Sequence, residues 1–442
     1  MIAEPSSSKA ATNHPASLLS YKWWVVLMLW FVCFLNYADR QAISSVLPLL
    51  EKNFGFNKVQ LGLIGSAFAW VYAAAAPGAG LAADRFSRKR LLVAALIVWS
   101  LVTFATAGCN RFSFFLLVRA LTGLGEAFYF PAAMALISDY HSAVTRSRAM
   151  SWHQSAVYAG TILGSWTAAV LAERAGWHLP FLLFGPVGIL LALFLSWQLR
   201  EPQRGASEPA PVAPGTTAAS PLSVVETLQA IFRAPAAVLL MGAFICANFV
   251  AVMLLTWMPA FLVEEFHYTL GAAGLTGTLY IHLASAVAVP IAGSLADRLV
   301  RRWRAGRMAI QALGLILGAG FALLIGQTGS IGTLLVAMTC FGLCKGFYDS
   351  GIFASLYDVI DPRARGSAAG LINTFGWAGG ALGPVFVGLA CKYGGPSAQA
   401  ASMSAAIAWG GLFYLAGAAC LAAAMWLFVK PRAGLKKLYQ PT

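Results

Sequence analysis

Six ionisable side chains sit inside stretches that are otherwise too apolar for them: Asp39, Arg40, Arg119, Glu126, Lys345 and Asp349. A charge at mid-bilayer costs about 2.5–3.5 kcal/mol, so six facing hydrocarbon would cost on the order of 15–20 kcal/mol. They must face an interior cavity, pair, or titrate. A carboxyl drawn out of water becomes a weaker acid and can load and release protons near neutral pH. Asp39 and Glu126 are therefore candidate proton carriers. Arg40 keeps its charge and offers a rigid fork that matches a carboxylate, so it is the best candidate to hold an anion. As helical neighbours, Asp39 and Arg40 point about 100° apart and need not pair with each other. Arg119 and Glu126 share a helix face roughly 10 Å apart along the axis, too far for an easy direct pair but suited to a cavity wall. Lys345 and Asp349 are spaced i,i+4 and can neutralise each other. A self-compensating pair and a substrate contact are both open for them.

The elements that position these residues are long apolar runs. A helix needs about 20 apolar residues to cross the hydrocarbon. Runs of that length occur at roughly 23–47, 59–83, 90–108, 112–138, 149–172 and 178–198, and again at 236–263, 270–296, 307–326, 331–359, 366–391 and 403–429. The composition agrees, with 59% hydrophobic and 10% charged residues and a mean hydropathy of +0.72. Soluble domains carry roughly 25% charged residues. The expected fold is an all-α membrane protein with twelve transmembrane helices in two six-helix bundles. The first bundle is placed at 21–200 and the second at 231–430. Between them, 201–230 has the Pro, Ala and Thr content of a flexible linker. Segments 1–20 and 431–442 read as disordered tails. The first 20 residues are polar and no cleavable signal peptide is evident.

Charge sets the orientation. Placing both termini in the cytoplasm puts 22 basic residues on that side and five on the other, the bias expected of cytoplasmic segments. The expected location is the cell (inner) membrane. The net charge of +14 lacks a solvated basic face, so no nucleic-acid partner is expected. Two of the basic clusters follow matching sequences. Gly80-Leu-Ala-Ala-Asp84-Arg85 closes the second run, and Gly293-Ser-Leu-Ala-Asp297-Arg298 closes the eighth, 213 residues later. Asp84, Arg85, Arg88, Asp297 and Arg298 are placed as gating residues, whose charged hydrogen bonds would hold the halves together in one state and break in the other.

Among polar residues at mid-depth, Tyr72, Gln154 and Asn373 rank highest as substrate contacts, ahead of His153, Tyr158, Asn248, His282 and Tyr348. The seven cysteines have no paired spacing and read as small core residues. The six histidines are scattered without ligand spacing, so no metal and no cofactor are expected. No nucleophile–base set or phosphate loop is present, which argues against an enzyme.

The doubled Gly-x-x-x-Asp-Arg loop and the Arg119-to-Gly123 stretch resemble the major facilitator superfamily over nearly the whole chain. Asn36-Tyr37-x-Asp39-Arg40, Gly125-Glu126-Ala127 and Phe130-Pro131-Ala132 look like its anion:cation symporter branch, which takes up sugar acids and other organic anions with protons. Spinster-type transporters share the first two elements. From the symporters, the resemblance implies proton coupling at Asp39 and Glu126 with support from Arg119, and substrate contact by Arg40 and Tyr72. Two departures stand out: Ser87 replaces the usual Gly of the first loop, and Lys345, Tyr348 and Asp349 are not expected of a sugar-acid carrier. Lys345, as an intramembrane charge, and Tyr348, as a mid-depth polar residue, also count among the candidate binding residues. The expectation is a monomeric, proton-coupled symporter of a small organic anion working by alternating access. The alternatives are a spinster-like carrier of lipid or lysolipid, and a ligand sensor built on a transport fold.

Overall fold

The computed structural model describes residues 16–203, 207, 229, 231–360, 365–394 and 399–429. The expected tails, apart from residues 16–20, and most of the linker lie outside the described residues. Among the described residues, the first half holds α1 (Ala16–Phe54), α2 (Lys58–Arg85), α3 (Arg88–Thr106), α4 (Phe112–Ala127), α5 (Tyr129–Tyr140), α6 (Ala143–Ala175) and α7 (Leu179–Gln198). The second half holds α8 (Pro235–Phe266), α9 (Leu270–Val300), α10 (Gly306–Gln327), α11 (Ile331–Asp349), α12 (Ile352–Val359), α13 (Arg365–Gly394) and α14 (Gln399–Val429). They make twelve helical spans long and apolar enough to cross a membrane, arranged as two six-span bundles.

Two expected single helices are each broken. The run at 112–138 divides into α4 and α5 at Phe128. Pro131 has no N–H to offer the Ala127 carbonyl, which weakens the ladder at that turn. The run at 331–359 divides into α11 and α12 at Ser350-Gly351. Apolar residues flank both joints closely enough that each pair of helices still reads as one span of membrane-crossing length.

The halves are copies at the level of contacts. A Cβ on Gly123 would strike the Phe68 carbonyl, and one on Gly342 would strike the Ile281 carbonyl. Gly342 lies 219 residues beyond Gly123, and Ile281 lies 213 beyond Phe68. Arg88 pairs with Asp139, and Arg307 pairs with Asp358 at 2.7 Å. Both members of the second pair are displaced by 219 residues from the first. Close helix approach at a glycine and a charged staple between span ends have thus both been duplicated.

The bundles meet along α2 with α13 and α6 with α9. At the end remote from the basic clusters, Lys58 pairs with Glu51 at 2.7 Å and with Glu264 of the second bundle. Glu173 accepts the Gly271 N–H at 2.7 Å, and the Ser165 hydroxyl donates to the Gly274 carbonyl at 2.8 Å. Gly62 lies against the Pro384 carbonyl, and Gly388 against the Lys58 carbonyl. Eighteen residues make five helical turns, about 27 Å, so Gly80 shares a face with Gly62, and Gly370 with Gly388. A Cβ on Gly80 or Gly370 would meet nothing within 4 Å. The two helices touch at the remote end and part toward the basic end, which opens the space between the bundles there.

Candidate functional site

The first bundle brings Asp39, Arg40, Arg119 and Glu126 into one buried cluster. The Arg40 Nε donates to Glu126 Oε2 at 2.5 Å. That pair joins α1 to α4, and Glu126 is completely buried. Asp39 turns to the other side of α1 and accepts a long 3.4 Å bond from the Thr103 hydroxyl of α3. Arg119 is buried beside them with its guanidinium carbon 5.1 Å from the Phe68 ring centroid. Two acids and two arginines make a charge-neutral set. Asn36 of α1 interacts with Glu126, and Trp99 of α3 with Asp39, so α1, α3 and α4 all contribute polar groups to the cluster.

Aromatic rings roof it. The Arg40 guanidinium carbon lies 4.6 Å from the Tyr37 ring centroid, 4.7 Å from Phe68, 5.0 Å from Tyr72 and 5.2 Å from Trp377. Cation–π attraction holds a desolvated guanidinium in such a box. Trp377 belongs to α13, so the second bundle closes the roof over a cation of the first. Tyr72 and Trp377 stand 5.0 Å apart between centroids.

Beyond the roof lies a cavity of about 190 Å³ between the bundles. Tyr37, Gln154, Tyr158 and Thr161 form its wall on one side, and Asn248, His282, Lys345, Asp349 and Trp377 form the other. Lys345 Nζ donates to Asp349 Oδ2, and the His282 Nδ1–H donates to the Thr278 carbonyl at 2.9 Å. Lys345 is the one lysine or arginine on this wall among the described residues. Of the expected substrate contacts, Gln154 and Lys345 line the cavity. Arg40 and Tyr72 stand behind or within the aromatic roof. Tyr348 is buried on the far side of α11, stacked with Phe244 at 6.5 Å. Asn373 is half-buried on α13 and is not on the cavity wall.

The gating candidates separate into two arrangements at the basic end. Arg88 is largely buried against Asp139. Asp84 and Arg85 are exposed. Asp297, 67% exposed, accepts from Arg307 at 3.1 Å, and Arg298 is exposed.

Some of the site escaped the sequence reading. The four-ring roof needed the fold, because Trp377 is some 340 residues from Tyr37. Phe68 and Tyr72 are spaced i,i+4 and their shared face was legible. The Lys58–Glu264 clasp joins two ordinary boundary charges that nothing in the chain marks as partners. The Tyr129 hydroxyl lies 2.6 Å from His153 Nε2 and donates to the Leu29 carbonyl, a buried tie across three helices that spacing does not reveal.

Comparison with known proteins agrees with this architecture. The chain is 29% identical over 385 residues to the probable anion transporter 4, chloroplastic, of Oryza sativa subsp. japonica, covering 84% of this chain and 64% of that protein. It is 29% identical over 385 residues to the ascorbate transporter, chloroplastic, of Arabidopsis thaliana, covering 84% and 70%. Protein spinster homolog 1 of Rattus norvegicus is 36% identical over 244 residues, 54% of this chain and 46% of that one. Thus the chain spans slightly under two thirds of the rice relative and under half of the rat one. Among solved structures, a bacterial homolog to the human lysosomal transporter spinster, inward-facing and unoccupied, superposes with a TM-score of 0.81 at 22% identity, over 96% of this chain and 98% of that one. The model of the Major Facilitator Superfamily matches residues 29–384 and, in a second match, residues 261–440. With twelve spans, two duplicated bundles and that coverage, this multi-pass membrane protein belongs to the Major Facilitator Superfamily.

Proposed function

We propose that the protein carries a small organic anion, a sugar acid or similar carboxylate, together with protons by alternating access. Its setting is the cell membrane, with termini and linker in the cytoplasm, and it works as a monomer. The observation that carries this reading is the buried Arg40–Glu126 pair, flanked by Asp39 and Arg119 and roofed by Trp377 of the opposite bundle. The set is neutral, so an arriving anion creates an uncompensated charge in a dry place, and a proton cancels it. A proton on Glu126 weakens its hold on Arg40 and frees the guanidinium for a carboxylate. When the acids ionise again, they compete for Arg40 and expel the cargo. Because the roof is shared between the bundles, the state of Arg40 bears on whether they close. Two relatives named as anion or ascorbate transporters support the substrate class. So does the cavity of about 190 Å³, below the roughly 300–1,000 Å³ of sites for drug-sized ligands.

The test is uptake of labelled sugar acids into proteoliposomes under an imposed pH gradient. Glu126→Gln is expected to abolish gradient-driven uptake and to spare exchange. Intact gradient-driven uptake in that variant refutes the coupling role.

A second reading, carriage of a lysolipid-like amphiphile, draws on the similarity to the spinster homolog. It also draws on an apolar groove of about 350 Å³ lined by Trp23, Leu27, Trp30, Phe31 and Trp152. Competition by lysolipids, with none by sugar acids, would favour it. Binding without flux would favour a sensor.

A further inference from the structure

The anion reading leaves the second bundle's charges unexplained. Lys345 occupies the position 219 residues beyond Glu126, the same displacement that relates the two staples and the two close-approach glycines. In the first bundle this position carries an acid paired to an arginine of α1. In the second it carries a base paired to its own helix, with Asp349 one turn on. Among the described residues, the titratable groups interacting with that pair are Tyr158 of α6, His282 of α9, Tyr348 of α11 and Tyr414 of α14, with Tyr37 of α1 across the cavity. None of these is a second carboxylate or a second permanent cation. The pair is also half-buried, with side chains 18% and 32% exposed.

A carboxylate entering the cavity meets Lys345 before it reaches Arg40 behind the aromatic roof, and Lys345 is already neutralised. With the anion filling the cavity in place of solvent, two carboxylates share the one cation Lys345 at close quarters, and like charges so placed cannot both stay ionised without cost. A proton removes that cost. We propose that Asp349 takes up a proton when an anion binds Lys345, so that the binding event itself carries one proton at a site in the second bundle, separate from Asp39 and Glu126. The balance is simple: the Lys345–Asp349 pair plus an anion plus H⁺ gives the Lys345–anion pair plus a neutral Asp349 acid. No bond other than the O–H of Asp349 forms. This rests on the anion reading above.

The experiment is calorimetry on the purified full chain in lipid nanodiscs with D-glucuronate as the probe and glycine betaine as a zwitterionic comparison. Repeating each titration in two buffers of different ionisation enthalpy gives the protons taken up per ligand. Asp349→Asn is expected to bind glucuronate with one proton fewer than the wild type. The wild-type Kd is expected to rise up to about tenfold more per pH unit than that of the variant. Asp349→Glu restores the missing proton, Lys345→Arg keeps binding, and Lys345→Gln weakens it at least tenfold. If Asp349→Asn and the wild type take up equal numbers of protons, the inference fails and the anion reading stands. If betaine binds in place of glucuronate with no proton uptake, the pair is a zwitterion site and the inference fails. If neither glucuronate nor other small carboxylates bind the wild type, the anion reading itself fails and takes the inference with it.

Discussion

The two bundles share a skeleton and differ in where they keep their charge. Backbone approaches and end staples recur in both halves, down to Gly123 on Phe68 and Gly342 on Ile281. The ionisable cores do not. In the first bundle, four charged residues are buried among three helices and covered by rings. In the second, one pair lies on a single helix and faces the cavity. Duplication preserves what packing demands, because a glycine under a carbonyl has no substitute. It leaves cavity-facing positions free to change sign. The first bundle keeps its charges behind the aromatic rings, and the second presents its pair directly to the cavity.

The sharpest way to break this contrast is to strip one member from each system. Glu126→Ala strands Arg40 in a buried site and is expected to cost about 3–5 kcal/mol. Lys345→Ala leaves Asp349 partly hydrated and is expected to cost at most about 1 kcal/mol. Thermal unfolding in detergent ranks the two, and equal losses would erase the distinction. Next come the shared glycines. Gly123→Val and Gly342→Val each force a side chain against a backbone carbonyl, for about 1–3 kcal/mol apiece. Gly80→Val has room and is expected to be nearly neutral for stability while hindering closure at the basic end. Cysteine-accessibility labelling there would show increased exposure, and decreased exposure would contradict the splayed geometry of α2 and α13.

The staples allow a finer comparison. Arg88 and Asp139 are both largely buried, whereas Asp297 and Asp358 leave Arg307 in contact with solvent. Arg88→Gln is expected to cost about 1.5–3 kcal/mol, and Arg307→Gln under about 1 kcal/mol. Urea or thermal titration of each variant measures the difference, and the reverse order would mean that burial does not govern these pairs. The smallest effect concerns pH. His141 is buried at the basic end of the first bundle, 3.2 Å from the Lys22 carbonyl, and burial holds its imidazole below the usual histidine range. The unfolded chain takes up the proton first, near pH 6.5. Its stabilising contribution is therefore complete above that value and is lost as the pH falls through it. The second bundle has Ile360 at the matching displacement. His141→Gln is expected to shrink the Tm loss between about pH 7.5 and pH 5.5, and an unchanged loss would place the acid sensitivity elsewhere.

Much of the architecture was legible in the chain. Twelve apolar runs, the repeated Gly-x-x-x-Asp-Arg segment and the intramembrane charges are local features, and a bilayer turns local hydropathy into helices almost without appeal to tertiary contacts. The two broken spans were less legible. Pro131 is visible at one joint and Asp349-Ser350-Gly351 at the other, but a polar step inside a span does not by itself distinguish a break from a functional site.

Asp39, Arg40, Arg119, Glu126, Lys345 and Asp349 stood out in the sequence because a charge in hydrocarbon is expensive wherever it ends up, and the i,i+4 spacing of Lys345 and Asp349 already contained their pairing. Which acid meets Arg40, that Trp377 covers it, that Lys345 rather than Arg40 faces the cavity, and that the bundles part at Gly80 and Gly370 all depend on helices remote in sequence being brought side by side. Hydropathy is summed along a helix and can be read from the chain. Pairing and access depend on rotation about the helix axis and on the partner across the gap, and only the packed bundles determine those.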